Sequence, residues 1–184
     1  MTLRPCELER RASTAVQATG RKLSGYIARF NTEARIGPFT ETIKRGAFRA
    51  SLDSGRDILA LLDHRPDCLL GRTKSGSLEL REDSDGLAFS LTLPDTQAGR
   101  DLVALAERGD LGGCSFGFTV PSGGDEWDGD RRELRTVDLR EVSVVQSWPA
   151  YEGTEIALRS KPKAYQMLIF GGDDTRRAWL DTVR

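Results

Sequence analysis

From Lys22 onward apolar and polar residues alternate in short runs, and strands are expected wherever they do. Residues 22–30 form the first run. Gly37-Pro38 marks a turn within a loop at 32–40, and 41–44 is a short extended piece. Residues 46–52 predict a short helix with Phe48 and Leu52 four apart on one face. The apolar run 57–62 fits a buried strand that ends at Asp63 and His64, and Pro66 argues against a helix there. A further strand starts at 68–73. Residues 77–82 and 87–93 alternate on either side of Asp83-Ser84-Asp85-Gly86 and predict a hairpin. The clearest helix runs over 96–108, with Asp95 or Thr96 as cap, Leu102, Leu105 and Ala106 as its apolar stripe, and Gly109-Asp110 as its stop. A strand with Ser115, Phe116, Phe118 and Val120 follows, then a polar, glycine-rich loop at 121–130, then strands at 132–137 and 138–146.

Both ends are weakly patterned. Residues 1–21 are expected as a flexible or peripheral arm, 22–159 as the folded domain, and 160–184 as a tail with a helix over 174–183. Many short strands and few helices place the chain in the α+β class, mainly β. The expected architecture is a small closed or half-closed antiparallel barrel ringed by helices.

Composition narrows the function classes. Of 184 residues, 38% are apolar and 30% charged, and the formal net charge is −1. A balance so near zero supplies no bulk attraction for a phosphate backbone, so a nucleic-acid partner is not expected. No run approaches the ~20 apolar residues that span a bilayer, so no membrane partner is expected. The three cysteines, Cys6, Cys68 and Cys114, are odd in number and widely spaced, which suits neither a disulfide framework nor a metal site. No cofactor or metal is expected.

Three residues carry candidate chemistry. His64 is the one histidine and lies at a strand end, where a side chain can face a cleft. Ser115 lies in Gly112-Gly113-Cys114-Ser115-Phe116-Gly117-Phe118. This has the G-x-S-x-G spacing without the helix that follows a hydrolase elbow. Strand parity sets Cys114 with Phe116 and Phe118 on a core-like face and Ser115 with Gly117 and Thr119 on a polar one, which favours Ser115 over the thiol as nucleophile. Glu141 lies in Leu139-Arg140-Glu141-Val142-Ser143-Val144-Val145, where alternation groups it with Leu139, Ser143 and Val145. It is either an edge-strand acid facing water or a buried acid with a partner such as His64. Asp63 should face away from His64. Serine, imidazole and carboxylate are the parts of a nucleophilic triad.

The ordered pieces Gly25-Tyr26-Ile27-Ala28-Arg29-Phe30-Asn31, Gly46-Ala47-Phe48, Leu61-Leu62-Asp63-His64, Leu70-Gly71-Arg72, Asp85-Gly86-Leu87, residues 109–118, Leu139-Arg140-Glu141-Val142-Ser143 and Pro149-Ala150 resemble the prohead maturation proteases of tailed bacteriophages. The resemblance implies a serine endopeptidase with a fold like that of the herpesvirus assemblin proteases. The family's histidine falls on His64 and its serine on Ser115. Where the assemblin relatives have a second histidine, this chain offers Glu141, with Asp138 as runner-up. Backbone N–H groups near 147–151 would form the oxyanion hole. The implied substrates are the major capsid protein, its scaffold and the chain itself. The implied setting is the immature capsid in the host cytoplasm, with a homodimer or higher oligomer as a possible form. A cysteine peptidase using Cys114 and a non-catalytic assembly protein of the same fold are the competing readings.

Overall fold

The computed structural model describes residues 8–13 and 16–146. Thirteen strands and two helices follow one another in these segments. The first five strands are β1 (Glu9–Ser13), β2 (Val16–Thr19), β3 (Lys22–Arg29), β4 (Glu33–Ile36) and β5 (Phe39–Ile43). After helix α1 (Arg49–Asp53) come β6 (Leu59–Leu62), β7 (Arg65–Arg72), β8 (Leu78–Glu82) and β9 (Gly86–Thr92). Helix α2 (Gln97–Arg108) leads to β10 (Gly113–Thr119), β11 (Asp125–Asp128), β12 (Arg131–Leu134) and β13 (Asp138–Val145).

The strands form three sheets, ordered β1-β10-β13-β6-β7, β11-β12-β5-β4 and β2-β3-β9-β8. Most pairings are antiparallel, as expected, but β13 runs parallel to β6 and β12 parallel to β5. The mainly-β reading holds. Among the described residues the three sheets are not closed into one barrel, and two helices accompany them rather than a ring.

Local chemistry accounts for the elements that were legible. Thr96 caps α2 by accepting from the Gly99 N–H, and Gly109 closes the helix in the left-handed conformation. Leu102 is the buried anchor of its apolar stripe. The hairpin between β8 and β9 turns on Asp83, whose Oδ1 accepts from the Asp85 and Gly86 N–H groups.

Three segments differ from expectation. The N-terminal arm contains β1 and β2, and β1 is hydrogen-bonded along its length to β10. Its polar residues concealed a strand because Arg11 is buried in an ion network rather than in water. The loop at 32–40 contains β4, and the loop at 121–130 contains β11. Both are short, charged strands in the sheet ordered β11-β12-β5-β4. The expected tail helix over 174–183 lies outside the described residues.

One apolar core joins the sheets. Phe116 and Phe118 stack at 5.2 Å, and Phe48, next to α1, meets Phe116 edge-on at 5.6 Å. Leu139, Val142 and Val144 of β13 and Cys114 of β10 join this core. The core therefore claims one face of the five-stranded sheet and leaves the other to polar residues.

Candidate active site

The polar face of β10 and β13 meets the turn between β6 and β7. Asp63 and His64 are the two central residues of this turn, with φ of 48° and 60°, and Leu62 pairs with Arg65 across it. Positive φ at both central positions defines a two-residue type I′ hairpin turn, the form that matches strand twist. Glycine or asparagine is the usual occupant, and a histidine there carries backbone strain of the kind found at functional sites. The turn is held from β13. The Asp63 N–H donates to the Val144 carbonyl, the His64 N–H donates to Ser143 Oγ, and the Gln146 N–H donates to Asp63 Oδ1.

This clamp aims the imidazole between two strands. His64 Nδ1 lies 2.6 Å from Glu141 Oε1, and His64 Nε2 lies 2.8 Å from Ser115 Oγ. A proton on Nδ1 satisfies the carboxylate and leaves Nε2 as an acceptor for the Ser115 hydroxyl, the tautomer a general base needs. The other carboxylate oxygen, Oε2, accepts from Ser143 Oγ at 2.7 Å. Glu141 is 8% exposed, so its charge would be costly without these partners.

Sequence alternation alone misplaces Glu141. It groups Glu141 with Leu139, yet Leu139 is in the core. The register shows why: Gly117 faces Glu141 and Phe118 faces Leu139, so the backbone pairing with β10 skips Arg140. This β-bulge reverses the parity of β13, sending Leu139 to the core and Glu141 with Ser143 to the polar face. On β10 the parity holds as expected: Ser115 and Gly117 face the site, and Cys114, Phe116 and Phe118 face the core.

The alternatives to these residues are accounted for in place. Asp138 pairs with Arg140 at 3.5 Å, at the end of β13 remote from the turn. Asp63 is engaged elsewhere, accepting from the Gln146 N–H. Burial pushes the Cys114 thiol up to about 12, so at neutral pH it is a protonated core residue and not a thiolate. Sequence reasoning missed Ser143 as a site residue. The one available signal was its position two residues from Glu141, on the same face. The segment expected to supply the oxyanion hole, 147–151, lies outside the described residues.

The family model for the caudovirus prohead serine protease matches residues 6–167 of the chain. The chain belongs to the caudovirus prohead serine protease family. No curated protein and no solved structure matches it. Membership makes the chain a phage capsid-maturation hydrolase of the serine type. Among the described residues there is no group of three or more acidic, histidine or cysteine side chains able to hold a metal ion. No described helix is long and apolar enough to cross a membrane.

Proposed function

We propose that the chain is the endopeptidase of capsid maturation, with Ser115 as nucleophile, His64 as general base and Glu141 as the acid that orients and stabilises the imidazolium. The observation that carries this reading is the unbroken series Ser115 Oγ, His64 Nε2, His64 Nδ1, Glu141 Oε1, with both gaps below 3 Å. Ser115 Oγ attacks the scissile carbonyl while Nε2 takes its proton. The positive imidazolium is then stabilised through Nδ1–H by the carboxylate. The acyl-enzyme forms when Nε2 returns that proton to the leaving amine, and a water repeats the sequence to release the acid. Proton transfer by a positioned base contributes about 10²–10⁴-fold to such reactions.

The substrates proposed from family membership are the scaffold, or the scaffold-like arm of the major capsid protein, and the chain's own ends. Its place of action is the interior of the immature capsid. Residues 160–184 are the proposed self-cleaved tail, since chain termini are where proteolysis concentrates.

Co-expression with the capsid protein of the same phage tests the proposal, with intact-mass spectrometry as the readout. Wild type should shorten the capsid protein, its scaffold or itself, and Ser115→Ala should leave all of them at full length. Identical masses in both cultures would favour the non-catalytic assembly reading.

A further inference from the structure

Across three adjacent strands one row of residues reads Arg10 on β1, Gly117 on β10 and Glu141 on β13. Residues directly opposite in paired strands project to the same face, so Arg10 and Glu141 share the polar face with Gly117 between them. Glycine has no side chain to separate its neighbours. Arg10 Nε lies 3.8 Å from Glu141 Oε1, the same oxygen that meets His64 Nδ1. Among the described residues this Nε is buried and has no hydrogen-bond partner. A buried guanidinium nitrogen without an acceptor is costly, and the nearby carboxylate is its electrostatic compensation.

The strand that carries Arg10 is firmly anchored. Arg11, next along β1, points to the opposite face and is 3% exposed. Its Nε donates to Glu41 Oε1 at 2.6 Å and its Nη2 to Glu41 Oε2 at 2.8 Å, while its guanidinium lies 5.2 Å from the centre of the Phe118 ring. Glu41 also accepts from Arg132, which holds Glu9 through both of that residue's oxygens. Fixing Arg11 in the core fixes the parity of β1 and commits Arg10 to the site.

We infer that Arg10 is a positioning residue for Glu141, contributed by the N-terminal strand, and that its charge tunes the support the carboxylate gives His64. This rests on the proposed roles of Ser115, His64 and Glu141. The physical reason is competition for one oxygen. A cation beside Glu141 offsets part of the negative potential that the carboxylate sets up at the imidazole. The groups facing His64 are Glu141 and Ser143 of β13, Ser115 of β10 and, beyond the carboxylate, Arg10 of β1. Of its neighbours in the turn, Asp63 is engaged by Gln146, and Arg65 pairs with Asp67. Arg10 is thus the cation of this set that approaches the carboxylate.

The chain has one histidine, so its imidazole can be followed by NMR without assignment. The experiment titrates that resonance in the full chain as wild type, Arg10→Met, Arg10→Gln and Arg10→Lys. In parallel it measures the rate of phosphonylation by a fluorophosphonate probe across pH, read by intact mass. In that reaction Ser115 Oγ bonds to phosphorus, fluoride leaves, and the hydroxyl proton passes to His64. The imidazole transition and the acid limb of labelling should both move to higher pH in the two neutral variants, the direction expected for loss of a partly screened positive charge nearby. Arg10→Lys should stay near wild type. Superposable transitions in all four proteins would overturn the inference, and two neutral variants guard against one that folds poorly. If wild type labels at Ser115 and the transitions do not move, Arg10 has no such role and the protease reading stands. If the transition moves but wild type does not label, the coupling stands and the nucleophile assignment falls.

Discussion

Gly117 stands opposite Glu141 across the β10–β13 pair, and a Cβ on Gly117 would lie 2.5 Å from Glu141 Oε1. That distance is below any tolerable contact, and the atom met is the one that holds His64. Gly117 therefore reserves the space in which the carboxylate meets the imidazole. Its φ is not positive, so an alanine there is barred by the neighbour and not by the backbone.

Gly117→Ala should consequently spare the fold and impair the site. The end of a flexible side chain must move, and no backbone atom is in the way. Displacement of the carboxylate by about an ångström should slow fluorophosphonate labelling of Ser115 by ~10–100-fold. The sheet should stay intact, but the unfolding temperature should fall by several degrees, since the carboxylate that moves is buried and loses its partners. Equal labelling rates for variant and wild type would show that Glu141 has room to spare.

Ser143→Ala tests the clamp. Ser143 Oγ donates to Glu141 Oε2 and accepts from the His64 N–H, and the residue is 1% exposed. Its loss leaves a buried carboxylate oxygen and a buried turn N–H without this partner. The expected cost is about 1–3 kcal/mol in urea unfolding, together with slower labelling. A variant as stable and as reactive as wild type would mean that water replaces the hydroxyl without loss.

Cys114→Ala separates the two nucleophile readings. The thiol is on the core face, and burial raises it to about 12. Labelling should continue at the wild-type rate at Cys114→Ala and vanish at Ser115→Ala. The cysteine variant should lose about 1–2 kcal/mol of stability from the small cavity. Loss of labelling in the cysteine variant with Ser115 intact would revive the cysteine peptidase.

Acid stability should report the ion network that anchors β1. Burial pushes the Glu9 carboxyl up, but the Arg132 and Arg11 guanidiniums outweigh it and hold the pKa below its ordinary 4.5. A carboxyl depressed in the folded state stabilises above its unfolded pKa, and that contribution is lost as pH falls through the folded value. Glu9→Gln should therefore be less stable than wild type between pH 7 and 5. The gap should narrow as pH drops below 4.5, measured by urea midpoints. A gap independent of pH would mean that the network holds β1 by packing and not by charge.

Much of the site was readable in one dimension. A lone histidine after a buried apolar run, a serine on the polar side of an otherwise core-facing strand, and an acid inside an apolar strand each violate the local pattern. On β10 strict alternation survives folding, so parity alone was enough to put Ser115 on the polar face and Cys114 on the core face. The helix over 97–108 was equally plain, because its cap, apolar stripe and terminal glycine are all local. Strand β1 was not, because its character depends on Arg11 finding Glu41 thirty residues away, and charged residues in a row otherwise signal solvent.

The sequence by itself determined which residues could do chemistry and most of the strands, β1, β2, β4 and β11 excepted, since residue type and short-range period carry both. The tertiary structure decided which of them meet. A bulge at Arg140 turned Glu141 away from the core, and a parallel pairing with β6 brought the His64 turn beside β13. A glycine in the neighbouring strand left room for the carboxylate. Register, bulge and parallel contact are relations between distant segments, and no local period encodes them.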